Sequence, residues 1–313
     1  MTKTIVVHDG SFHSDDALAV FFVRHLCGFA DSRVIRTRDE SVILGADIVC
    51  DVGRIFDEDK LRFDHHQSGC QEHYMNCKIP LSSCGMVYRK FQEEINGSIL
   101  KENGRSAGSY MKYICENMYF GFVQEIDAVD NGVEQYSNED VPVYQLRTTI
   151  SNRIRMMNDY ADFEDAVQLI GKEYVNKLLL IVDSEIPSID LAKKAFENRF
   201  NVDKSGKIVL FDVLCKSEFH LKNLEKENGL DDDKQLLYII NPRIDGNWMV
   251  YAIGTGKPFE LRKPLPFKGL RDEELSKNCG IPGGVFVHKS GFLAAFNKKE
   301  QAIQFAKLAL ESK

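Results

Sequence analysis

The sequence lacks the features that mark membrane proteins, exported proteins and proteins that coat long duplexes. No apolar run approaches the roughly 18 residues that span a bilayer, and the first residues lead straight into a strand-like pattern, so we expect no signal or transit segment. Positive charge is not in excess either, because the net charge is −7, and this argues against broad binding to long duplexes. We expect a soluble protein of the cytoplasm or the nucleus, without membrane contact.

Closely spaced cysteine pairs are also missing. The eight cysteines are scattered and form no CxxC motif, so a disulfide framework is not indicated. Cys27 and Cys50 lie inside apolar periodic segments, where a small buried thiol packs well. Reduced thiols in an intracellular protein are therefore expected.

Strand-like and helical patterns alternate in the first part of the chain. Apolar runs occur at 4–8, 33–37, 47–52 and 60–63, and residues 15–26 carry apolar side chains at helical spacing. Strands that alternate with helices predict a parallel α/β sheet. The length of 313 residues and the hydrophobic content of 43% suit two domains with cores of their own.

Helical patterns then dominate, and strand patterns return near the end. Residues 203–207 read as a turn, so we place a domain boundary near residue 200, with the preceding helix as the connector. The further predicted helices are 83–95, 110–127, 163–182 and 188–200, and the further predicted strands are 208–211, 235–241 and 248–253.

Side chains of metal-ligand type follow three of the predicted strands. The carboxyl ends of parallel strands meet at one edge of a sheet, so these side chains are expected to converge on a metal site. Each cluster alone has a structural explanation, such as Asp15 acting as a helix cap, and it is the conjunction of three clusters that favours a metal. The candidates are His8, His13, Asp15, Asp51, Asp64, His65 and His66.

The ligand types restrict both the metal and the chemistry. Imidazole and carboxylate without thiolate suit Mn²⁺, Mg²⁺, Zn²⁺ or Fe²⁺, and the histidines favour ions softer than Mg²⁺. The candidates are too many for one tetrahedral ion, whereas two ions that share one carboxylate could use them. Two ions roughly 3.5 to 4 Å apart can hold a bridging hydroxide as nucleophile and stabilise a phosphoryl group. The expected chemistry is phosphoester hydrolysis with two divalent ions, with Mn²⁺ favoured and Mg²⁺ or Zn²⁺ as alternatives.

A fourth candidate element ends at an Asn-Gly turn. Asp127 and Asp130 are three residues apart, so both project to one side if the helix persists that far. A solvated helix end is the alternative, but a carboxylate near a helix C-terminus interacts unfavourably with the negative end of the helix dipole. A nearby cation explains them better, and the sequence does not separate Asp127 from Asp130 as the ligand.

The chain closely resembles the melanocyte-proliferating-gene (Myg) family. That family resembles a branch of the DHH phosphoesterase superfamily, alongside RecJ-type nucleases, oligoribonucleases and family II pyrophosphatases. The likeness extends through 269–275 and 280–292, so it covers nearly the whole chain. It is carried by the motifs His8-Asp9-Gly10-x-Phe12-His13-x-Asp15, Asp51-Val52-Gly53, Asp64-His65-His66-Gln67 and Asp127-Ala128-Val129-Asp130-Asn131-Gly132.

The resemblance implies ligand roles for individual residues. Asp15, Asp51 and His65 match metal ligands of the superfamily. His8 matches the opening ligand histidine, but its spacing to Asp15 is one residue longer than usual, so Asp9 stays open as the alternative.

The resemblance also implies roles beside the metal. His13 stands two residues before Asp15, where many relatives carry Asp, which leaves the metal preference open. His66 is expected to orient its neighbour His65 or to polarise the phosphate. Asp64 is expected to orient an imidazole without contacting the metal itself. These two are the candidate catalytic residues.

A C-terminal substrate-binding module is implied in the same way. Gly283 and Gly284 offer backbone NH groups free of side chains, and His288, Ser290 and Gly291 follow at a spacing that could cradle a phosphate. A tight turn between two strands would suit the same glycines.

Four arginines complete the expected substrate site. Arg262 and Arg271 belong to the densest basic stretch of the chain, and their position before the Gly-Gly pair favours phosphate contact over a solvated loop. Arg36 and Arg38 share one face of a strand by alternation. They could add positive charge near the first site, or pair with the acidic residues that follow them.

The expected fold class is α/β, with a DHH-type parallel-sheet domain at 1–184, a connector helix at 185–201 and a smaller α/β substrate-binding domain at 202–313. The resemblance implies a metal-dependent 3′-to-5′ exonuclease that acts on single-stranded RNA or short oligonucleotides in a cleft between the domains. Two alternatives stay open, a phosphohydrolase of nucleotides or pyrophosphate and a non-catalytic RNA-binding protein with a structural metal. The oligomeric state, including a homodimer, is also open.

Overall fold

A computed structural model describes residues 2–136, 144–215 and 217–312. The chain divides into two compact units, Met1–Val182 and Asp183–Lys313, here called unit 1 and unit 2. Both units combine helices with a five-stranded sheet, which confirms the α/β class. The DHH-type layout and the roles assigned to the two domains stay predictions.

Unit 1 is built on a sheet with strand order β2-β1-β3-β5-β4. Strands β1, β2, β3 and β5 are parallel, as the sequence predicts. The prediction of a wholly parallel sheet is wrong at one edge, because β4 and β5 form a short antiparallel hairpin. The strands are β1 (Thr4–Val7), β2 (Arg33–Arg36), β3 (Ile48–Cys50), β4 (Phe56–Asp57) and β5 (Arg62–Phe63).

Strand β1 lies between β2 and β3 and is buried inside unit 1. Ile5, Val6 and Val7 are fully buried, as expected for a strand of a parallel sheet that is covered on both faces. The first helix is almost entirely buried and packs against the third and the seventh. The helices are α1 (Ser14–Arg24), α2 (Glu40–Gly45), α3 (Ser83–Glu102), α4 (Met111–Met118), α5 (Gln124–Asp130), α6 (Ile150–Met157) and α7 (Phe163–Leu180), with a π-helical turn at Tyr119–Val123.

Unit 2 is built on a second mixed sheet, with strand order β6-β7-β8-β10-β9. Only β6 and β7 are parallel, and the other neighbours are antiparallel. Successive side chains of β6 point to opposite faces of the sheet. Ile208 packs in a core with the last helix of the unit, and Val209 packs in a second core with its first helix. The strands are β6 (Ile208–Leu210), β7 (Tyr238–Pro242), β8 (Trp248–Ala252), β9 (Gly284–Val287) and β10 (Leu293–Phe296).

The helix predicted as a connector is part of unit 2. Its residues Ala192 and Phe196 are buried in the same core as Val209 and Leu221. The last helix of the unit covers the opposite face of the sheet, and its Phe305 is buried in the core there. The helices of unit 2 are α8 (Ile186–Glu197), α9 (Arg199–Val202), α10 (Glu218–Glu227), α11 (Asp272–Cys279) and α12 (Lys299–Glu311).

Two expectations about the chain as a whole can be compared with the structure. In the described ranges, no helix combines the length and the apolar character that crossing a bilayer requires. All eight cysteines are free thiols, in agreement with the prediction that they are reduced.

Candidate metal centre

The side chains predicted to bind metal meet at one edge of the unit 1 sheet. His8 directly follows β1, Asp51 directly follows β3, and Asp64 directly follows β5. These strands are parallel neighbours in the order β1-β3-β5, so their carboxyl ends lie side by side. The strand connectivity therefore brings together groups that are more than 50 residues apart in sequence.

Asp51 lies at the middle of this cluster and is almost fully buried. Its Oδ2 atom is 3.3 Å from Nε2 of His8, and its Oδ1 atom is 3.7 Å from Nε2 of His65 and 3.4 Å from Nδ1 of His66. Burial opposes the charged form, but the neighbouring imidazoles of His65 and His8 outweigh it and lower the pKa of Asp51 to about 2. Asp51 is therefore a carboxylate that faces three imidazoles.

His8 is oriented by its own loop. Its Nδ1 lies 2.7 Å from the carbonyl oxygen of Asp9, which can only accept, so Nδ1 carries the proton and Nε2 faces the cluster. Burial would lower the pKa of His8, but the neighbouring carboxylates of Asp16 and Asp51 raise it to about 10. The Asp16 carboxylate, 3.1 Å from Nε2, was not among the predicted site residues. Its place beside Asp15 in the first turn of α1 was the only sequence signal for it.

His65 is oriented by an asparagine that the sequence analysis did not single out. Asn131 donates its Nδ2 protons to the carbonyl oxygens of Pro80 and Asp127, so its Oδ1 atom is turned toward Nδ1 of His65 at 3.4 Å. This leaves Nε2 of His65 facing Asp51 and Asp130. Burial opposes the charged ring, but the neighbouring carboxylates of Asp130 and Asp51 raise its pKa to about 11.

The geometry separates the two carboxylates that the sequence left open. Asp130 Oδ2 lies 2.9 Å from Nε2 of His65, inside the cluster. Asp127 instead accepts hydrogen bonds from the backbone N of Ser82 and from the Tyr119 hydroxyl, and its Oδ1 lies 2.7 Å from Oγ of Ser82. Burial raises the pKa of Asp127 to about 7. The position of Asp130 suits a ligand, and that of Asp127 suits a support for the neighbouring helix.

Asp15 is fully buried at the N-terminus of α3. Its Oδ1 accepts from the Ser82 hydroxyl at 2.6 Å and from the Cys84 amide at 2.6 Å, and its Oδ2 accepts from the Ser83 amide at 3.2 Å. Burial, followed by the charges of Asp130 and Asp51, raises the pKa of Asp15. A nearby cation would relieve this crowding of carboxylates.

His66 and Asp64 form a pair at the rim of the cluster. Asp64 is buried and accepts from the His66 backbone at 2.9 Å, from His66 Nδ1 at 2.7 Å and from the Arg54 amide at 2.6 Å. The imidazole of His66 is 56% exposed, so its Nε2 edge can meet a substrate. Hydrogen bonding to Asp64 raises the pKa of His66. Their predicted catalytic roles stay predictions.

The donor set fits divalent metal ions. Three groups of side chains each place their ligand atoms within 4.8 Å of one another, and Asp51 belongs to two of them. Among the described residues, four buried polar atoms that face the cluster approach one another as ion pairs without good hydrogen-bond geometry, namely His8 Nε2, Asp16 Oδ2, Asp51 Oδ1 and His65 Nε2, and such atoms are suited to bind a ligand. The three groups are His8, His13 and Asp51; Asp51, His65 and His66; and Asp15, His65 and Asp130.

The predicted arginines of unit 1 support the loop after β1. Arg36 donates to the carbonyl oxygen of Gly10 at 2.8 Å, and Arg38 pairs with Asp9 at 3.0 Å. Asp9 is thus paired with Arg38, and its role as the alternative ligand to His8 stays a prediction. The pairing partner of Arg38 lies in the His8 loop and not in the acidic residues that follow it.

In unit 2 the residues of the expected phosphate cradle are divided between two places. Gly284 begins β9, whereas His288, Ser290 and Gly291 form the turn between β9 and β10. The Gly283–Gly284 pair and the turn therefore lie at opposite ends of one strand and do not form a single loop. The turn residues remain together, because Ser290 donates its backbone N–H to Nδ1 of His288 at 3.2 Å.

The two predicted arginines of unit 2 differ in how far their guanidinium groups can contact a phosphate. Arg262 is only 13% exposed and makes a bidentate ion pair with the buried Glu225, at 2.7 and 2.9 Å. This ion pair occupies the two guanidinium N–H groups that would otherwise bind a phosphate. Arg271 is 65% exposed, lies over the ring of Phe286 and makes a long ion pair of 4.0 Å with the exposed Asp272, so most of its guanidinium faces solvent.

Comparisons with known proteins agree with the resemblance read from the motifs. A family model named MYG1_exonuc and described as "Uncharacterised protein family (UPF0160)" matches residues 4–310. A MYG1 protein of Caenorhabditis elegans is 37% identical over 99% of this chain and 96% of its own length. A MYG1 protein of Dictyostelium discoideum is 36% identical over 97% and 95%, and the MYG1 exonuclease of Homo sapiens is 34% identical over 98% and 85%.

Proposed function

We propose, from the premise that this chain belongs to the MYG1 family (UPF0160), that it is a metal-dependent phosphodiester hydrolase. The proposed substrate is single-stranded RNA or a short oligonucleotide, digested from its 3′ end. Similarity to a protein named MYG1 exonuclease supports nuclease action. The polarity and the preference for RNA come from the resemblance to the DHH superfamily and are part of the proposal.

One observation carries the proposal most directly. Asp51 contacts His8 through one carboxylate oxygen and both histidines of the Asp-His-His motif through the other. A single carboxylate with imidazoles on both oxygens is the arrangement expected of a ligand shared by two ions. Phosphoester hydrolases commonly use such a pair.

The residues divide naturally between two metal positions. His8, His13 and Asp51 would hold one ion, and Asp51, Asp15, His65 and Asp130 the other. When bound, such ions lower the pKa of water and neutralise charge on the phosphoryl oxygens. Mn²⁺ is the proposed native ion, because three imidazoles among six ligands favour an ion softer than Mg²⁺.

His66 is proposed to act on the substrate. Asp64 and Asp51 both face its Nδ1, so the ring is held with Nε2 outward, and hydrogen bonding to Asp64 raises its pKa and favours the protonated form. A protonated imidazole at the rim can donate to a phosphoryl oxygen or to the leaving oxygen. Asp64 then serves as the residue that orients it.

Digestion of end-labelled RNA tests the proposal. Metal-stripped protein would be given short RNAs labelled at the 3′ or the 5′ end, with Mn²⁺, Mg²⁺ or Zn²⁺ added back. Asp51→Asn is the preferred control, because Asp51 has φ +56° and Asn tolerates this conformation better than Ala does. We expect stepwise shortening from the 3′ end with Mn²⁺ and its loss in Asp51→Asn.

The outcomes separate the alternatives. Shortening from the 5′ end would overturn the proposed polarity. Hydrolysis of nucleotides or pyrophosphate, without cleavage of any RNA, would show a small-molecule phosphohydrolase. Bound metal without turnover on any phosphoester would indicate a structural metal centre, and full activity of Asp51→Asn would rule out the shared-ligand role.

A further inference from the structure

The turn between β9 and β10 presents an aromatic ring beside a set of phosphate donors. Phe292 is 39% exposed, and its ring centroid lies 4.7 Å from that of His288, at an interplanar angle of 63°. Lys268 and Ser290 lie beside the same turn. The residues His288, Ser290, Gly291, Phe292 and Lys268 are called the turn patch below.

The turn patch has a fixed backbone. Gly291 donates to the carbonyl oxygen of His288 at 2.8 Å and accepts from the amide of Leu265 at 2.8 Å. Gly291 has φ +75°, and a Cβ atom there would lie 2.8 Å from the carbonyl oxygen of Leu265 and 2.8 Å from Cε of Lys268. Only glycine fits this close approach. The turn is therefore held in one conformation before any ligand arrives, which lowers the entropic cost of binding.

The hydrogen bonds of His288 define what it offers to a ligand. The backbone N–H of Ser290 can only donate, so Nδ1 of His288 is the acceptor and the proton of the neutral ring is on Nε2. His288 is partly exposed. Its Nε2–H can donate to an anion, and Lys268 makes no ion pair within the described part of the chain.

Phe292 adds a feature that phosphate binding does not need. An exposed ring beside cationic and N–H donors is the arrangement in which single-stranded nucleic acids are held, because a base stacks on the ring and the backbone meets the donors. Inorganic phosphate or pyrophosphate would gain nothing from the ring.

We propose that Phe292 is a stacking platform for a nucleobase whose own phosphate is held by His288 and Lys268. This inference rests on the proposed function, and it deepens it by naming the substrate class of unit 2 as a nucleotide end that carries a base. Phe292 is then the residue that selects nucleic acid over base-free phosphate compounds.

Binding to the full-length, metal-stripped protein tests the proposal without turnover. The two probes are adenosine 5′-monophosphate and ribose 5-phosphate, which share the sugar phosphate and differ in the base. We expect the wild-type protein to bind the nucleotide about tenfold more tightly, the size of effect expected from one base–aromatic stack.

The variants separate stacking from a structural role. Phe292→Ala should bind the nucleotide about tenfold more weakly and ribose 5-phosphate as the wild type does, and Phe292→Tyr should restore binding of the nucleotide. Phe259→Ala is the matched control, because Phe259 is a fully exposed phenylalanine in another loop of unit 2.

Two results would overturn the inference. One is equal affinity of the wild-type protein for the two probes, and the other is an equal loss for both probes in Phe292→Ala with unchanged unfolding temperature. Failure of the proposed function is distinguishable from either, because it would appear as an absence of RNA cleavage by the metal-loaded wild type, which this binding assay does not measure.

Discussion

Asp51 adopts a backbone conformation that most residues avoid. Its φ of +56° lies in the left-handed region, which glycine, asparagine and aspartate adopt more readily than other residues and which still strains a residue other than glycine. Such strain persists only where the surroundings fix it, and it is concentrated at functional sites. The turn directs the carboxylate back across the ends of β1 and β5, where the three histidines lie.

Ser82 is expected to position Asp15, a proposed metal ligand. Its hydroxyl lies 2.6 Å from Asp15 and 2.7 Å from Asp127, and all three residues are fully buried. We expect Ser82→Ala to weaken Mn²⁺ binding by about tenfold or more, as loss of a hydrogen bond behind a ligand typically does. Isothermal titration calorimetry of the metal-stripped protein measures this.

The adjacent serine provides the control for Ser82. Ser83 is equally buried at the start of α3, but its hydroxyl has no hydrogen-bond partner among the residues that the structure describes. Ser83→Ala should therefore leave the Mn²⁺ affinity unchanged. Equal effects of the two substitutions would show that Ser82 acts only through helix packing.

Proton release should accompany metal binding. Neighbouring carboxylates raise the pKa of His8 to about 10 and that of His65 to about 11, so both rings are charged in the metal-free protein at neutral pH. A histidine must be neutral to bind a metal. We expect Mn²⁺ to displace about one proton per histidine and its affinity to rise with pH, measured by calorimetry in buffers of different ionisation enthalpy.

The raised pKa values of these histidines also determine how the stability of the metal-free fold changes with pH. A histidine with a raised folded-state pKa contributes stability that is fully present below its unfolded pKa of about 6.5. That contribution is lost as the pH rises through about 10 to 11. His65→Gln should release fewer protons on Mn²⁺ binding, and absence of any release from the wild type would contradict this account.

At the scale of elements, the N-terminus of α3 organises one side of the metal centre. The amides of Ser83 and Cys84 donate to Asp15, and the amide of Ser82 donates to Asp127. A helix N-terminus carries partial positive charge and unpaired N–H groups, so it stabilises buried carboxylates. The helix thus supports two acidic residues that come from α1 and α5.

Gly85 makes this approach sterically possible. A Cβ atom at Gly85 would overlap both carboxylate oxygens of Asp127. We expect Gly85→Ala to lower the free energy of unfolding by about 1–3 kcal/mol through overpacking and to weaken metal binding by displacing the start of α3. Chemical denaturation followed by circular dichroism measures the stability.

Gly97 on the same helix gives a matched comparison. A Cβ atom there would meet only Cε of Met111, at an ordinary 3.6 Å. Because alanine is the better helix former, Gly97→Ala should raise the free energy of unfolding by about 0.5–1 kcal/mol. Similar effects of the two substitutions would contradict the specific role given to Gly85.

At the scale of the whole molecule, charge is divided unequally between the two units. Residues 1–182 contain 28 Asp and Glu against 19 Lys and Arg, whereas residues 183–313 contain 19 against 21. Unit 1 therefore repels a polyanion unless cations offset its carboxylates. The net positive unit 2 suits contact with phosphate groups.

Metal should stabilise the two units unequally. A ligand that binds only the folded form of unit 1 raises its stability by about 2.7 kcal/mol at a concentration 100 times its dissociation constant. We expect differential scanning calorimetry to show one transition that shifts upward with Mn²⁺ and one that does not. A single transition, or an equal shift of both, would contradict this.

The transition of unit 2 can be identified by its buried ion pair. Glu225 is 4% exposed and pairs in a bidentate manner with Arg262. Glu225→Gln leaves the arginine without its counter-charge, and breaking a buried pair typically costs about 3–5 kcal/mol. The metal-insensitive transition should move to lower temperature, and the Mn²⁺-sensitive one should stay.

The sequence by itself determined the α/β class, the family and the candidate ligands at the ends of β1, β3 and β5, because strand periodicity and residue type are local properties. Tertiary structure decided the rest, since it depends on packing between distant segments. It turned Asp130 toward His65 and Asp127 toward Ser82, although both lie on one short helix. It also added Asp16 and Asn131 around the histidines and paired Arg262 with Glu225. No spacing rule reveals which of two nearby carboxylates meets an imidazole, because that depends on where a partner from another element arrives.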